Sequence, residues 1–297
     1  MKRKRSLLLL ILSFVLLNIS EAQLKKRVAV MRFEDRTGSG YHSLGEGVSD
    51  MLTTALVKSG KFLVVERQEI EKAIQEQQFG ESFMVTPETA PKMGKVIGVE
   101  LMVIGSVSEF GVQESGVSGG VSLFGGGISK RTARAAVDVR LVNISTGEII
   151  AAEKAEGEES STGFSINTAE FDFSNSNTWT DTDIGKATRK AVTSVVQLIT
   201  ENIGKVPWQG RILRVNPDGT VLMKPGSEGN VKTGMEFDVF RKGDDIIDPD
   251  TGQSLGSEDE RVASIKVMQD MLQGKASKAN VTGGSGIQAG DIVRQKE

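Results

Sequence analysis

Cysteine is absent from the 297-residue sequence, and His42 is its single histidine. The chain therefore has no thiol nucleophile and no disulfide, and it lacks the ligands of most zinc sites. A serine-type catalytic triad could be built only on His42, which lies in a polar loop where a surface side chain is expected. These absences predict no catalytic residues and no metal site, so we do not expect an enzyme.

Aromatic residues and excess positive charge are also lacking. The chain has one Tyr and two Trp, and its 36 Lys and Arg residues are outnumbered by 39 Asp and Glu, which gives a formal net charge of −3. Proteins that bind nucleic acids need clustered Lys and Arg against the phosphate backbone. The composition therefore predicts no nucleic-acid partner.

The glycine clusters do not match a nucleotide-binding loop. Gly38 and Gly40 are followed by Ser43 where the dinucleotide fingerprint needs its third glycine, and no Lys-Ser or Lys-Thr pair follows them. The acidic stretch DDIIDPDTG (244–252) lacks the glycine and the closing glutamate of a calcium loop at the required positions, so it is interpreted as a hairpin loop. No cofactor is predicted.

The single long apolar run stands at the N-terminus, in MKRKRSLLLLILSFVLLNISEAQ. Basic residues precede the run, and Ser20 and Ala22 occupy the cleavage positions, which is the pattern of a secretory signal peptide over residues 1–22. Its removal would change the formal charge from −3 to −6, because four basic residues and Glu21 are lost. With no cysteine to carry a lipid, we expect an exported protein of the periplasm and outer membrane that is not a lipoprotein.

In residues 23–204, sequence patterns typical of strands alternate with patterns typical of helices. Strands are predicted in RVAVMRF (27–33), KFLVV (61–65) and VELMVIGSV (99–107). The spacing of Leu44, Val48, Leu52 and Leu56 predicts a helix that ends at Gly60, and further helices are predicted over 66–79 and after Thr86.

A long hairpin and a long helix complete this domain. The hairpin runs from Thr132 to Glu156 and turns at Ser145-Thr146-Gly147. The helix, over 183–204, has one apolar stripe, formed by Ile184, Ala187, Ala191, Val195, Ile199 and Ile203. We predict an α+β fold: a mixed α/β domain over 23–204, followed by a small all-β, SH3-like barrel over 205–297, where short strands alternate with turns such as Asn216-Pro217-Asp218-Gly219.

The order of several short motifs resembles the CsgG family, the curli secretion channel of bacterial outer membranes. These motifs are VAVMRFED, VVERQ (64–68), VIGSV (103–107), SGGV (118–121) and VRLVNISTGEII (139–150). The resemblance covers about 27–204. The C-terminal barrel resembles the SH3-like domain of the FlgT flagellar ring protein, through DPDTGQSLG and GDIVR.

The resemblance implies a homo-oligomeric ring in which each subunit adds two β-hairpins to a barrel through the outer membrane. The matching segments are 109–132 and 155–181, and their candidate lipid-facing or interfacial residues are Val117, Val121, Leu123, Phe124, Phe164, Ile166, Phe171 and Phe173. The segment 38–47, with Tyr41 and His42, would face the pore. It is shorter than the family's pore loop and lacks its Asn, which favours an exposed loop side chain for Tyr41 over a pore-lining one. The implied partners are the outer membrane and secreted protein subunits.

Membrane insertion fits the sequence only in part. Residues 117–123 alternate apolar and small polar side chains as a membrane strand does, but Glu156, Glu158, Glu159, Glu170 and Asp172 occupy both faces of the second segment. Two hypotheses therefore stay open: a non-enzymatic ring-forming secretion or assembly channel, and a soluble periplasmic scaffold of an envelope or flagellar-type assembly whose barrel binds an envelope protein.

Overall fold

The computed structural model describes residues 23–41, 43–76, 98–116, 129–162, 181–250 and 254–296. The predicted signal peptide and the helix predicted after Thr86 lie outside these ranges. Within them, the first domain is a mixed sheet in the order β3-β1-β4-β5-β6, with a short β2 added to β4. Its strands are β1 (Arg27–Val30), β2 (Glu34–Asp35), β3 (Leu63–Val65), β4 (Leu101–Gly116), β5 (Ser129–Asn143) and β6 (Ile149–Thr162).

The sheet has a parallel half and an antiparallel half. β1 runs parallel to β3 and β4, while β4, β5 and β6 pair antiparallel along almost their whole length. We call the end of the sheet that holds Asp35, Gly116, Ser129 and Thr162 the distal end, and the opposite end the proximal end. The predicted hairpin turn at 145–147 joins β5 to β6 at the proximal end.

In the described part of the chain, three helices cover the sheet. α1 (Leu44–Ser59) and α3 (Asp183–Asn202) pack on one face, where they bury the predicted stripes against alternate strand residues. α2 (Arg67–Glu76) packs on the other face through Ile70, against Ala29 and Met102. Because Val28 faces α1 and α3 while Ala29 faces α2, the β1 strand is buried on both sides, as its unbroken apolar sequence predicts.

The C-terminal domain is a closed barrel in the order β12-β13-β8-β7-β14-β9. Its strands are β7 (Gly210–Val215), β8 (Val221–Lys224), β9 (Glu236–Arg241), β12 (Glu260–Met271), β13 (Ala276–Gly284) and β14 (Ile292–Gln295). A separate hairpin of β10 (Asp245–Ile247) and β11 (Ser254–Ser257) holds the acidic stretch, as the hairpin interpretation predicts. The mixed α/β domain followed by an all-β barrel confirms the predicted fold class.

The N-terminal end of the described chain packs on the barrel. Leu24 falls in the range predicted for the first domain, but it is buried in the core of the barrel beside Trp208 and Phe237. The Lys25 amide donates to the Gly229 carbonyl at 3.0 Å, and the Asn230 side chain donates to the Gln23 carbonyl at 2.9 Å. The start of the described chain therefore ties the barrel to the sheet domain.

Candidate functional site

Two long connections leave the first domain and return to it at the same place. Gly116 pairs with Ser129 across β4 and β5, so the segment 117–128 begins and ends at the distal end. Thr162 closes β6, and Ser161 donates a short hydrogen bond, 2.5 Å, to Asp183 at the start of α3. The segment 163–180 therefore also begins and ends there. Both connections lie outside the described residues, but their four anchor points are next to one another.

The loop after β2 lies at the same end. β2 runs parallel to β4, with Asp35 opposite Val107, so the chain leaves β2 toward the distal end. Tyr41 then packs edge-to-face on Phe110 of β4, with ring centroids 5.6 Å apart and planes at 77°. The fold thus brings together the three segments that the sequence singled out. Tyr41 is half-buried against the core, which corrects the expectation of an exposed loop side chain.

The predicted pore-facing segment 38–47 is shorter in the structure. Residues 44–47 form the first turn of α1, and Leu44, Gly45 and Gly47 are buried. A Cβ at Gly45 would lie 2.8 Å from the carbonyl carbon of Phe33 and closer still to its oxygen, so the helix begins in direct contact with the preceding backbone. Leu44 anchors this turn in the core, which leaves 36–43 as the loop. His42 lies outside the described residues.

The two predicted membrane hairpins are likewise shorter than 109–132 and 155–181. Residues 109–116 and 129–132 form paired ends of β4 and β5, and 155–162 form the end of β6. The end of β6 is covered by α3: Ala155 and Gly157 are buried, and Lys190 forms an ion pair with Glu159 at 2.7 Å. The face of β6 that carries Ala155 and Gly157 therefore packs under α3, inside the domain. The candidate residues Val117, Val121, Leu123, Phe124, Phe164, Ile166, Phe171 and Phe173 lie outside the described residues.

The bases of the connections are polar. Glu114 of β4 and Arg131 of β5 form an ion pair at 2.8 Å, and Arg134 pairs with Glu158 across β5 and β6 at 2.9 Å. Thr132 and Ser160 lie within 3.4 Å of each other, two residues further toward the distal end than Arg134 and Glu158. The strand ends that carry the connections therefore present charged and hydroxyl groups within the last six residues of each strand.

A second polar cluster, at the proximal end, has no counterpart in the sequence analysis. Glu100, just before β4, is buried, and its carboxylate accepts hydrogen bonds from the amides of Arg27 at 2.8 Å and Gln209 at 3.4 Å. Burial raises the pKa of Glu100 to about 7, although these two amides and the Arg27 side chain act to lower it. Because Gln209 begins the barrel, Glu100 joins the two domains. No motif marks it, since its partners are main-chain groups distant in sequence.

Two further kinds of feature, a metal site and a membrane-spanning helix, are not found in the described part of the chain. No three acidic or histidine side chains there are placed to hold a metal ion. None of the helices in the described ranges combines the length and the hydropathy that a membrane span requires.

Comparisons with known proteins place most of the chain in one family. The family described as "Curli production assembly/transport component CsgG" matches residues 12–218. No curated protein matches. Among solved structures, the hypothetical protein CT253 from Chlamydia trachomatis is 16% identical, with a TM-score of 0.40, and the match covers 60% of this chain and 98% of that one.

Two further structures have lower TM-scores. The LpoB C-terminal domain from Salmonella enterica is 21% identical, with a TM-score of 0.33, over 45% of this chain and 83% of that one. The PelC dodecamer from Paraburkholderia phytofirmans is 13% identical, with a TM-score of 0.29, over 59% of this chain and 86% of that one. All three TM-scores are below 0.5, so no functional inference rests on them.

Proposed function

Because the chain belongs to the CsgG family of curli production assembly/transport components, we propose that it is a ring-forming component of a secretion or assembly apparatus at the outer membrane. Members of this family are secretion or assembly components, so the proposed work is done by the geometry of an oligomer. In this proposal the sheet domain forms the ring, and the connections 117–128 and 163–180 of every subunit emerge on one side of it.

The observation that carries the proposal is the common origin of the connections. The anchor pairs Gly116 with Ser129 and Ser161 with Asp183 both lie at the distal end of the sheet. The loop that ends in Tyr41 lies there too, on Phe110. In this proposal each subunit contributes the two connections 117–128 and 163–180, so a closed barrel or collar requires many subunits around a common axis.

A specific observation favours the second candidate, a soluble periplasmic scaffold. A membrane-spanning strand needs about 9 to 11 residues, so the twelve residues of 117–128 cannot form two spans by themselves. The ends of β4 and β5 would have to complete them, and these ends carry the Glu114–Arg131 ion pair. Charged side chains near the middle of a bilayer are costly, whereas near the headgroups they are tolerated.

Electron microscopy of the full chain, expressed with its N-terminal segment and purified from membranes in detergent, tests the proposal. A ring with a detergent-covered collar supports the channel, and a ring without a collar supports the scaffold. Carbonate extraction of membranes gives a second measurement, since a collar keeps the protein in the pellet and a scaffold is released. A chain that stays monomeric in detergent, in lipid and in buffer contradicts both candidates.

A further inference from the structure

A cleft of about 540 Å³ lies between the two domains, at the proximal end of the sheet. One wall comes from the sheet domain, at the start of β1, at β3 and at the residues before β4. The other wall comes from the barrel, at β7, β8 and β14. Neither domain forms this cleft alone. It is separate from the distal connections on which the proposed function rests.

Positive charge dominates the cleft. Arg27 enters it from β1, Arg211 from β7 and Lys224 from β8, and all three side chains are partly buried. Among the described residues, none of the three forms an ion pair within 4.0 Å; Arg211 donates only to the Gly290 carbonyl, at 3.2 Å. The barrel wall also carries Asp259 and Arg294, which are paired with each other, and the exposed side chains of Glu228, Lys242 and Lys275.

The cations converge on one place. A Cβ built on Gly98 would lie 3.1 Å from Nη1 of Arg27 and 3.9 Å from Nζ of Lys224, so both charged groups lie close to the same glycine. Burial lowers the pKa of Lys224, and the neighbouring Arg27 and Arg211 lower it further, while Glu100 opposes them. Partly buried like charges at this spacing repel one another unless an anion lies between them.

The negative charge of Glu100 balances little of the positive charge of these three side chains. Its carboxylate is engaged by the amides of Arg27 and Gln209, and its pKa of about 7 leaves it partly protonated at neutral pH. Three partly buried cations of the cleft, Arg27, Arg211 and Lys224, thus face one buried and partly protonated acid, Glu100. A group with two or more negative oxygens would satisfy donors that the protein leaves without a charged partner.

We propose that the interdomain cleft binds the phosphate group of an anionic ligand through Arg27, Arg211 and Lys224. Guanidinium and ammonium groups together match the several oxygens of a phosphate. The cleft is larger than a phosphate ion, and Val64, Val99, Ile144 and Ile292 give it an apolar lining. The rest of the ligand packs there, so the ligand is a phosphorylated small molecule or the headgroup of a phospholipid.

Isothermal titration calorimetry on the full chain tests this site, with three probes at constant ionic strength: inorganic phosphate, glucose 1-phosphate, and vesicles of phosphatidylglycerol compared with phosphatidylcholine. We expect saturable binding of phosphate with one site per chain. Tighter binding of glucose 1-phosphate identifies a soluble ligand, and saturable binding of phosphatidylglycerol vesicles alone identifies a lipid headgroup. If no probe binds saturably, the proposal is wrong.

Matched variants separate a built site from general charge attraction. Lys224→Gln and Arg211→Gln are each expected to weaken phosphate binding about tenfold, because each loses a charge-assisted contact. Lys224→Arg should retain most of the affinity. Lys232→Gln removes the same charge from an exposed position of the barrel outside the cleft and should change the affinity less than about twofold. Equal losses in Lys224→Gln and Lys232→Gln would overturn the proposal, and thermal unfolding of each variant checks that it is folded.

Discussion

Gly157 of β6 lies directly against Ala187 of α3, with no room for a side chain between strand and helix. A Cβ at Gly157 would lie 2.8 Å from the amide nitrogen of Ala191 and closer still to the Ala187 carbonyl oxygen. This contact brings the helix onto the end of β6, at the start of the segment for which the family resemblance implies a membrane hairpin. The glycine is therefore required for packing inside the first domain.

Replacing this glycine should destabilise the fold. Gly157→Val would force the start of α3 away from the sheet, and we expect the free energy of unfolding to fall by about 3 kcal/mol or more. Urea unfolding followed by circular dichroism measures it. Gly111→Val is the control: Gly111 lies in β4 with no atom within 4 Å of its would-be Cβ, so a change within about 0.5 kcal/mol is expected. Similar losses for the two variants would contradict the packing role.

The apolar stripe of α1 should account for much of the stability of the sheet domain. Leu52 is fully buried between α1 and the sheet, so Leu52→Ala is expected to lower the free energy of unfolding by about 2 to 5 kcal/mol through the cavity it leaves. Val57 lies on the same helix with 57% of its side chain exposed, and Val57→Ala should cost about 0.5 kcal/mol or less. A small loss for Leu52→Ala, measured in the same urea assay, would mean that the helix does not pack as described.

Glu100 should make the stability depend on pH near neutrality. Its pKa is raised to about 7 in the folded chain, above its ordinary value of 4.5, so the folded state binds more protons than the unfolded state between these values. The free energy of unfolding should therefore decrease as the pH rises from 5 to 8, by roughly 3 kcal/mol from this group alone. This pKa already includes the opposing effect of the Arg27 side chain and of the two amides.

Glu100→Gln isolates the pH-dependent part of this contribution, because glutamine does not ionise and keeps one oxygen for the Arg27 amide. The Gln209 amide donates to the other carboxylate oxygen and loses that acceptor at every pH. We expect the difference in unfolding free energy between the variant and the natural chain to grow from pH 5 to pH 8, with the variant the more stable at pH 8. Glu153→Gln alters an exposed carboxylate of β6 and should give a flat difference. A flat difference for Glu100→Gln as well would show that the carboxylate is not destabilised by burial.

Membrane association depends on the connections that lie outside the described residues. Under the channel hypothesis, Val121 and Leu123 face lipid, so replacing both with Asp should release the protein from membranes extracted with carbonate. Replacing the neighbours Ser118 and Ser122 with Asp places the same charges on the opposite face and should leave the protein in the pellet. Under the scaffold hypothesis neither pair changes the distribution. Immunoblotting of pellet and supernatant distinguishes these results.

Much of the architecture could be predicted because its signals are local. Leu44, Leu52 and Leu56 recur at helical spacing and are buried as that spacing indicates. The alternation of Ala133, Ala135 and Val137 against Arg134 and Asp138 gave the correct faces of β5. The motif around the β5–β6 turn also indicated the family that the comparison shows.

The lengths of the proposed hairpins could not be predicted from local sequence patterns. Alternation in 155–162 is equally compatible with a membrane strand and with a strand under a helix, and only the position of α3 distinguishes them. Similarly, Leu44 and Gly45 belong to the first turn of α1 and not to the loop that carries Tyr41.

The sequence by itself determined the elements, their buried faces and the absence of cysteine chemistry, because periodicity and composition are properties of neighbouring residues. The tertiary structure alone decided that the anchor points of both connections and the loop before α1 lie at the distal end of the sheet. It also decided that Arg27, Arg211 and Lys224 converge around a cleft between the domains. These residues come from strands far apart in the chain, and only the docking of the barrel on the sheet places their charges together.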